Sequence, residues 1–511
     1  MVCMQGTSDP NRELLDAAAL VGHLVPAGSV YAFLSEHRQR LFPDALFGDL
    51  FGSGRGRPSV PADVIATVLV LQSLEGLSDR EALDALRTDL KWKVAAGLSL
   101  GDEGFHPTVL TLWRNKLRAS DRPQRIFDAV RDVVQATGVL AGKTRRALDS
   151  TLLDDAVATQ DTVTQLVSMI RRVRRVIPQA AAVTVGAHNY EAGGKPACAW
   201  DDPTARDELI TKLVADALAI LAAVEDVLLD DDQQRLVGLL ALVAGQDVEQ
   251  GDQPGSWRIA HKVVKDRMIS TVDPETRHMH KSTSNYRDGY KAHLAVEPET
   301  GIITGVDLTP ANYGDGPVGV TLLDGEPAGL QVLGDSAYGS GPVREDLAET
   351  QHVAVIKPWP LARNPHLGDD QFHRDDFTID YAARTVTCPA GHTTPITASK
   401  AQFRSRCNNC PLRSRCTSAT CGRVVTVGEH DQLLAQARAD WKAGTHTADY
   451  RQWRPLVERS IAWLVANGHR RVRYRGVERN RIALSTRAAT LNLRRLLNLG
   501  LDHGPNGWKI A

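Results

Sequence analysis

Cysteine, methionine and aromatic residues are scarce in this chain of 511 residues, with seven Cys, five Met and 5% Phe, Trp and Tyr. Seven cysteines cannot build a disulfide scaffold at this length. Five of them lie between Cys388 and Cys421, a clustering that favours metal binding in a reducing compartment. Long apolar runs are also missing. The longest, such as 237–244, fall far short of the roughly 20 residues a membrane helix needs. No basic-then-apolar leader opens the chain. These absences exclude a membrane protein and a secreted mini-scaffold, and the expected location is the cytoplasm. Net charge is almost absent as well, at -1. That figure averages over strong segregation: nine arginines fall between Arg470 and Arg495 against one acid, Glu478, while Glu225, Asp226 and Asp230 to Asp232 form an acidic cluster. Charge sorted in this way suggests a polyanion contact on one face.

Hydrophobic residues, at 42%, are ample for large cores, and the length predicts several compact units in an α/β chain. Residues 1–135 read as a helical domain. Pro61 opens one helix, Ser78 and Glu81 form a capping-box pair for the next, and Val109 to Leu117 form a third. Short helices with glycine turns are compatible with a helix-turn-helix DNA-binding unit. In Lys143 to Asp149 a short strand is expected to end on an acid, and Ser150-Thr151 follow. Residues 160–255 read as a helical insertion, with helices over 162–176, from Pro203, and over 234–243.

Strand alternation returns at Tyr290 to Val296. Glu297 to Gly301 make a turn, and Ile302 to Leu308 run back as a β-hairpin. Val332-Leu-Gly-Asp335-Ser-Ala-Tyr-Gly339 delivers a second carboxylate to the end of a buried strand. Taken alone, Asp335 reads as a helix cap before it reads as a ligand. Asp154, Asp155 and Asp161 read as capping or surface acids beyond the first strand, and His293 as packed or solvent-facing. Residues 360–425 carry Cys388, Cys407-Asn-Asn-Cys410 and Cys416. This knuckle pattern fits a structural zinc site of four thiolates, with His392 or Cys421 as substitutes. Farther on, Arg454 and Glu458 stand four apart in a helical pattern and are expected to form an intrahelical pair.

Taken in order, Gly56-Arg57-Pro58, Glu75 to Glu81, His106-Pro107-Thr108, Ile269 to Arg277, Gly289-Tyr-Lys291-Ala-His293, Gly334 to Gly339, Val457-Glu458-Arg459, Arg473-Tyr-Arg475-Gly476 and Asn492-Leu493 resemble bacterial insertion-sequence transposases of the Asp-Asp-Glu type. Among these the chain is similar to the insertion-sequence family numbered eleven eighty-two. The resemblance implies an RNase H-like mixed-sheet core over 140–511, interrupted by the helical insertion (160–255) and the cysteine-rich insertion (360–425). It implies Asp149, Asp335 and Glu458 as catalytic ligands of two Mg²⁺ ions, with Mn²⁺ as a substitute. It further implies metal-dependent cleavage of insertion-sequence ends and strand transfer into target DNA. The partners would be double-stranded terminal inverted repeats and target DNA, held by a homodimer. The DNA-binding residues would be Arg454, Arg470, Arg471, Arg473, Arg475 and Lys291.

Some relatives carry a tyrosine three residues before the arginine and a lysine seven after the glutamate. Those positions are Arg451 and Val465 here, with Tyr450 one place early, so Tyr450 and a distal lysine receive no role. The alternatives are a catalytically silent DNA-binding derivative and an RNase H-like nuclease.

Overall fold

The computed structural model describes residues 4–8, 15–52, 56–261, 264–280 and 286–510. The N-terminal region is helical, as its periodicity predicts. Helix α1 (Ala62–Glu75) starts after Pro61 and ends at Gly76, whose φ of 73° closes the helix in the left-handed region. Ser78 and Glu81 complete the expected capping box at the start of α2 (Asp79–Thr88), and α3 spans Thr108–Arg118. Nearly every residue of α1 is buried. A helix apolar all round belongs inside a protein, not in a DNA groove.

Strand β1 (Arg145–Asp154) is longer than the sequence implies. It does not stop at Asp149, because its antiparallel ladder runs without interruption from Ala147 to Asp154. A helical segment follows as α4 (Thr162–Val176), α5 (Pro203–Ala223) and α6 (Asp231–Gln246), which bury residues such as Leu166, Ile170, Ile210, Leu213 and Leu240 in a cluster of their own. Asp161 caps α4, as expected of a capping acid. Asp155 instead is buried and accepts a hydrogen bond from Thr276 Oγ1 at 3.1 Å.

The chain then adds β2 (Arg277–His280), β3 (Tyr286–Val296) and β4 (Ile303–Pro310). The predicted hairpin is β3–β4, closed by the Gly301 N–H donating to Glu297 O at 2.9 Å. Helix α7 (Asp315–Thr321), β5 (Gln331–Gly334), α8 (Gly341–Glu349) and β6 (Val353–Ile356) complete the main sheet. Its order is β2–β3–β1–β5–β6, with β4 continuing along the edge of β3 that β2 also uses. The β1–β5 and β5–β6 pairs are parallel and the others antiparallel.

A separate five-stranded antiparallel sheet, from Thr378–Asp380 to Val424–Thr426, carries the cysteines. Four helices follow, α9 (Asp431–Ala443), α10 (Thr447–Trp453), α11 (Leu456–Val465) and α12 (Val477–Asn498), and a two-stranded hairpin (Leu501–Gly504 with Gly507–Ile510) ends the order. The long α12 packs against both α1 and β4. One apolar cluster therefore runs from Ile65 and Leu71 of the N-terminal helices through Leu491 and Leu493 to Leu294 and Leu308 of the sheet. This cluster crosses the sequence boundary near residue 140. Among the described residues, no helix is long and apolar enough to cross a membrane.

Candidate active site

The last hydrogen-bonded pairs of the β1–β5 ladder are Arg146↔Val332 and Ala147↔Leu333. Asp149 stands two residues beyond Ala147 within β1, and Asp335 two beyond Leu333, just past the end of β5, so both acids follow the last paired residues at the same level. Residues two apart on a strand share a face, so Asp149 projects on the side of Ala147, where the shared core and α11 lie. Glu458 is in the first turn of α11, which packs on β1. Asp149 and Asp335 therefore lie near one end of the β1–β5 seam, close enough for the charge of Asp335 to act on Asp149, and the helix that carries Glu458 packs on the same strand.

The three carboxylates have different surroundings. Asp335 is exposed and caps the short helical turn that follows, accepting from the Ala337 N–H at 2.8 Å. Both sequence readings of Asp335, cap and seam-end acid, are compatible because a cap uses one carboxylate oxygen. Glu458 is exposed. Asp149 is mostly covered: one oxygen accepts from the Ser150 N–H at 2.9 Å, and the other lies 3.1 Å from Arg454 Nη2. Burial raises the Asp149 pKa above the usual carboxylate range. The Arg454 charge and the Ser150 N–H oppose that rise, and the negative field of Asp335 adds to it.

Arg454 corrects one expectation. It does not pair with Glu458, because Pro455 ends α10 immediately after it, and α11 begins anew at Leu456. Its guanidinium turns inward to Asp149 and is 9% exposed, so a direct DNA contact by this side chain is replaced by support of a carboxylate. Tyr450, left without a role by sequence spacing, lies in the site. Burial raises its hydroxyl pKa; the positive Arg454 opposes this, and the fields of Asp335, Asp149 and Glu458 add to it. Tyr338, buried beneath Gly319 and Gly334, is held far above its ordinary range by burial and by Asp315, Asp149 and Asp335. Tyr450 stands four residues before Arg454, whose N–H bonds to its carbonyl, so the two share one helix face despite the offset of one place.

Lys291 is a second correction. It is 4% exposed, donates to Tyr313 O at 2.6 Å and lies 3.0 Å from an Asp315 oxygen, so its ammonium is committed inside the fold and is not a DNA contact. His293 is packed, as expected, with Nε2 at 2.8 Å from Thr309 Oγ1.

The arginine-rich segment divides into structural and free groups. Arg470 donates to Thr151 Oγ1 at 2.8 Å and Leu152 O at 2.9 Å, bracing the segment against β1. Arg487 is 2% exposed and donates to the carbonyls of Ser73 and Trp463 at 2.6 and 2.7 Å. Arg471, Arg473 and Arg475 remain exposed; Arg471 also donates to Asp155 O at 2.8 Å, and Arg473 donates to Gly76 O. Arg172 of α4 was missed by motif reasoning. Burial first, then the positive fields of Arg175 and Arg475, lower its pKa, which brings insertion and C-terminal cations onto one surface.

The six described cysteines are free thiols. Cys388, Cys407, Cys410, Cys416 and His392 line one small cavity beside the five-stranded sheet, while Cys421 is exposed. The Arg423 N–H approaches Cys407 Sγ at 3.4 Å. The soft-donor set matches zinc chemistry, and the carboxylate oxygens at the seam match magnesium chemistry. Among the described residues, however, no three His, Cys, Asp or Glu side chains stand as a ready-made ligand set.

Two segments of the chain match described families. Residues 387–497 match "Transposase DDE domain", and residues 21–116 match "Transposase domain". The first match spans the cysteines, Arg454 and Glu458; Asp149 and Asp335 lie outside it. Together the two support a transposase of the insertion-sequence DDE type. No curated protein and no solved structure matches the chain.

Proposed function

We propose that this chain cleaves the ends of an insertion sequence and joins them to target DNA, using Asp149, Asp335 and Glu458 as the catalytic carboxylates of an RNase H-like core. The observation that carries the reading is that Asp149 and Asp335 each follow by two residues the last parallel pair of β1 and β5, with Glu458 on the helix packed over β1. It is supported by the family match that includes Glu458.

The hard carboxylate oxygens suit two Mg²⁺ ions, which when bound activate a water or 3′-hydroxyl and stabilise the leaving oxygen at phosphorus. Asp335 projects from the strand end with its backbone turn already capped, so its free oxygen is available for coordination. Arg454 orients Asp149 and keeps it ionised against burial. Tyr450 places a hydroxyl donor among the acids, within reach of a phosphate seated there. Exposed Arg471, Arg473 and Arg475, with Arg172 and Arg175, supply sequence-independent attraction to the DNA backbone. Cys388, Cys407, Cys410 and Cys416 would hold a structural zinc that staples the small sheet. A homodimer fits a reaction in which two element ends are joined.

The test is incubation of the full chain with DNA carrying the inverted repeats that flank its coding sequence, with and without Mg²⁺, followed by mapping of the nicks. Metal-dependent nicks at the repeat boundaries are expected. Intact DNA in Mg²⁺ and Mn²⁺, with the repeats bound, would favour the silent DNA-binding derivative instead.

A further inference from the structure

Beside the carboxylates runs a groove of about 980 Å³ that the reaction described above does not use. That is at the upper end of the roughly 300–1,000 Å³ typical of ligand sites. It starts at Ser336, next to Asp335, and continues along Lys357-Pro358-Trp359-Pro360 and one face of α9. The sheet explains the proximity. Gly334 and Ile356 are the last pair of the β5–β6 ladder, so Lys357 leaves β6 at the level where Asp335 leaves β5.

Trp359 is 62% exposed, an unusual state for the largest apolar side chain. Prolines on both sides fix its backbone: Pro360 biases Trp359 to an extended conformation, and Pro358 removes a rotatable φ. The indole is thus presented on a stiff segment at little entropic cost. Across the groove Trp441 meets Tyr450 edge-on, with ring centres 5.1 Å apart. Tyr450 in turn sits in the field of Asp149, Asp335 and Glu458. Aromatic surface therefore continues from Trp441 to the acids.

The charges of the groove are unequal in availability. Arg438 is held by Asp375 through two contacts of 2.7 Å, and Arg374 by Asp431. Lys357 and Lys442 are exposed and, among the described residues, make no ion pair. Aromatic faces flanked by free cations are the means by which proteins hold unpaired nucleotides, because bases offer their faces only when unstacked and the backbone brings regular negative charge. A closed duplex has no base face to give Trp359.

We propose that this groove binds unpaired DNA beside the cleavage site, with a base stacked on Trp359 and phosphates near Lys357 and Lys442. The proposal rests on the reading of Asp335 as part of a DNA-cleaving site, and it adds a place for a strand that has left the duplex.

The test is fluorescence anisotropy of the full chain with a labelled oligo-dT strand and with a duplex of equal length, for wild type, Trp359→Ala, Trp359→Phe and Lys357→Ala. Trp359→Ala should weaken oligo-dT binding by about 5- to 150-fold, the worth of one stacked base. Trp359→Phe should recover most of it, Lys357→Ala should weaken it with a smaller salt dependence, and duplex affinity should be unchanged by Trp359→Ala. Equal oligo-dT affinity of Trp359→Ala and wild type overturns the proposal, as does an equal loss on strand and duplex. The two readings fail separately. Trp359-dependent strand binding by a protein that never cuts DNA keeps the groove and removes the catalysis, whereas cutting without a Trp359 effect does the reverse.

Discussion

Arg454 Nη2 lies 3.1 Å from the Asp149 carboxylate, tying the end of one helix to the middle of the central strand. Both side chains are largely covered, so neither charge is easily solvated without the other. Removing one member of such a buried pair costs about 3 kcal/mol, against almost nothing for a surface pair. Arg454→Ala should therefore lower the unfolding free energy by about that much, measured by denaturant titration. It also removes a group that holds the Asp149 pKa down. The carboxylate then needs a higher pH to ionise, and the acid limb of the cleavage rate should move upward in pH. Arg454→Lys should restore part of both effects.

The basic segment should split by mutation as it splits in space. Arg487→Met removes a buried guanidinium that joins the carbonyls of Ser73, Trp463 and Leu464. It should cost several kcal/mol of stability. Arg475→Ala should leave stability within about 0.5 kcal/mol, and Arg473→Ala, which also loses its bond to Gly76 O, should cost somewhat more. Each should reduce the slope of log K against log salt by about 0.9 for duplex DNA. A stability loss at Arg475 equal to that at Arg487 would contradict this division.

His469 sets a pH response. Its ring is half-buried against the N-terminal helices, with Nε2 at 2.9 Å from Ser73 O. Burial, reinforced by Arg487 and Arg473, lowers its pKa to about 4, while the Ser73 carbonyl opposes this. A folded pKa below the unfolded value near 6.5 means that the unfolded chain takes up the proton first. This group therefore withdraws stability as pH falls from about 6.5 to about 4, and none is withdrawn above that window. His293, also lowered to about 4 by burial, has the same sign. His469→Gln keeps a donor for Ser73 without titrating, so its melting temperature should fall less steeply than wild type between pH 7 and pH 4.5. Parallel curves would remove His469 from the account.

Gly76 closes α1 with φ at 73°, and a Cβ there would meet Asn467 O at 2.0 Å. Backbone conformation and backbone contact both forbid a side chain. Gly76→Ala should destabilise the chain by several kcal/mol and loosen the N-terminal helices from the 467–473 segment. Protection of those amides in hydrogen exchange reads this directly.

Local signals were legible in the sequence where local chemistry determines them. Ser78 with Glu81, the hairpin turn ending at Gly301, and Asp335 after a short apolar strand depend on neighbours in the chain, and the structure keeps all three. What depended on distant neighbours was not legible. Strand β1 runs past Asp149 because β3 pairs with it, a partner more than a hundred residues away. Lys291 is buried because Asp315 receives it, and an alternating strand pattern does not say which lysine has an acid behind it. Arg470, Arg473 and Arg487 look alike in a basic run, yet their fates depend on the carbonyls of β1, Gly76 and Ser73. Tyr450 is given no role by a spacing of three residues, yet at four residues from Arg454 it lies on the same face of α10.

The central claim is that Asp335, level with Asp149 across the β1–β5 seam, serves the cutting of DNA through metal coordination. The most direct measurement compares wild type and Asp335→Asn on the same end-bearing DNA in Mg²⁺, with cleavage and binding read from one reaction. The account predicts that the variant binds the ends as wild type does and leaves both strands intact. Cleavage by Asp335→Asn at the wild-type rate would contradict it.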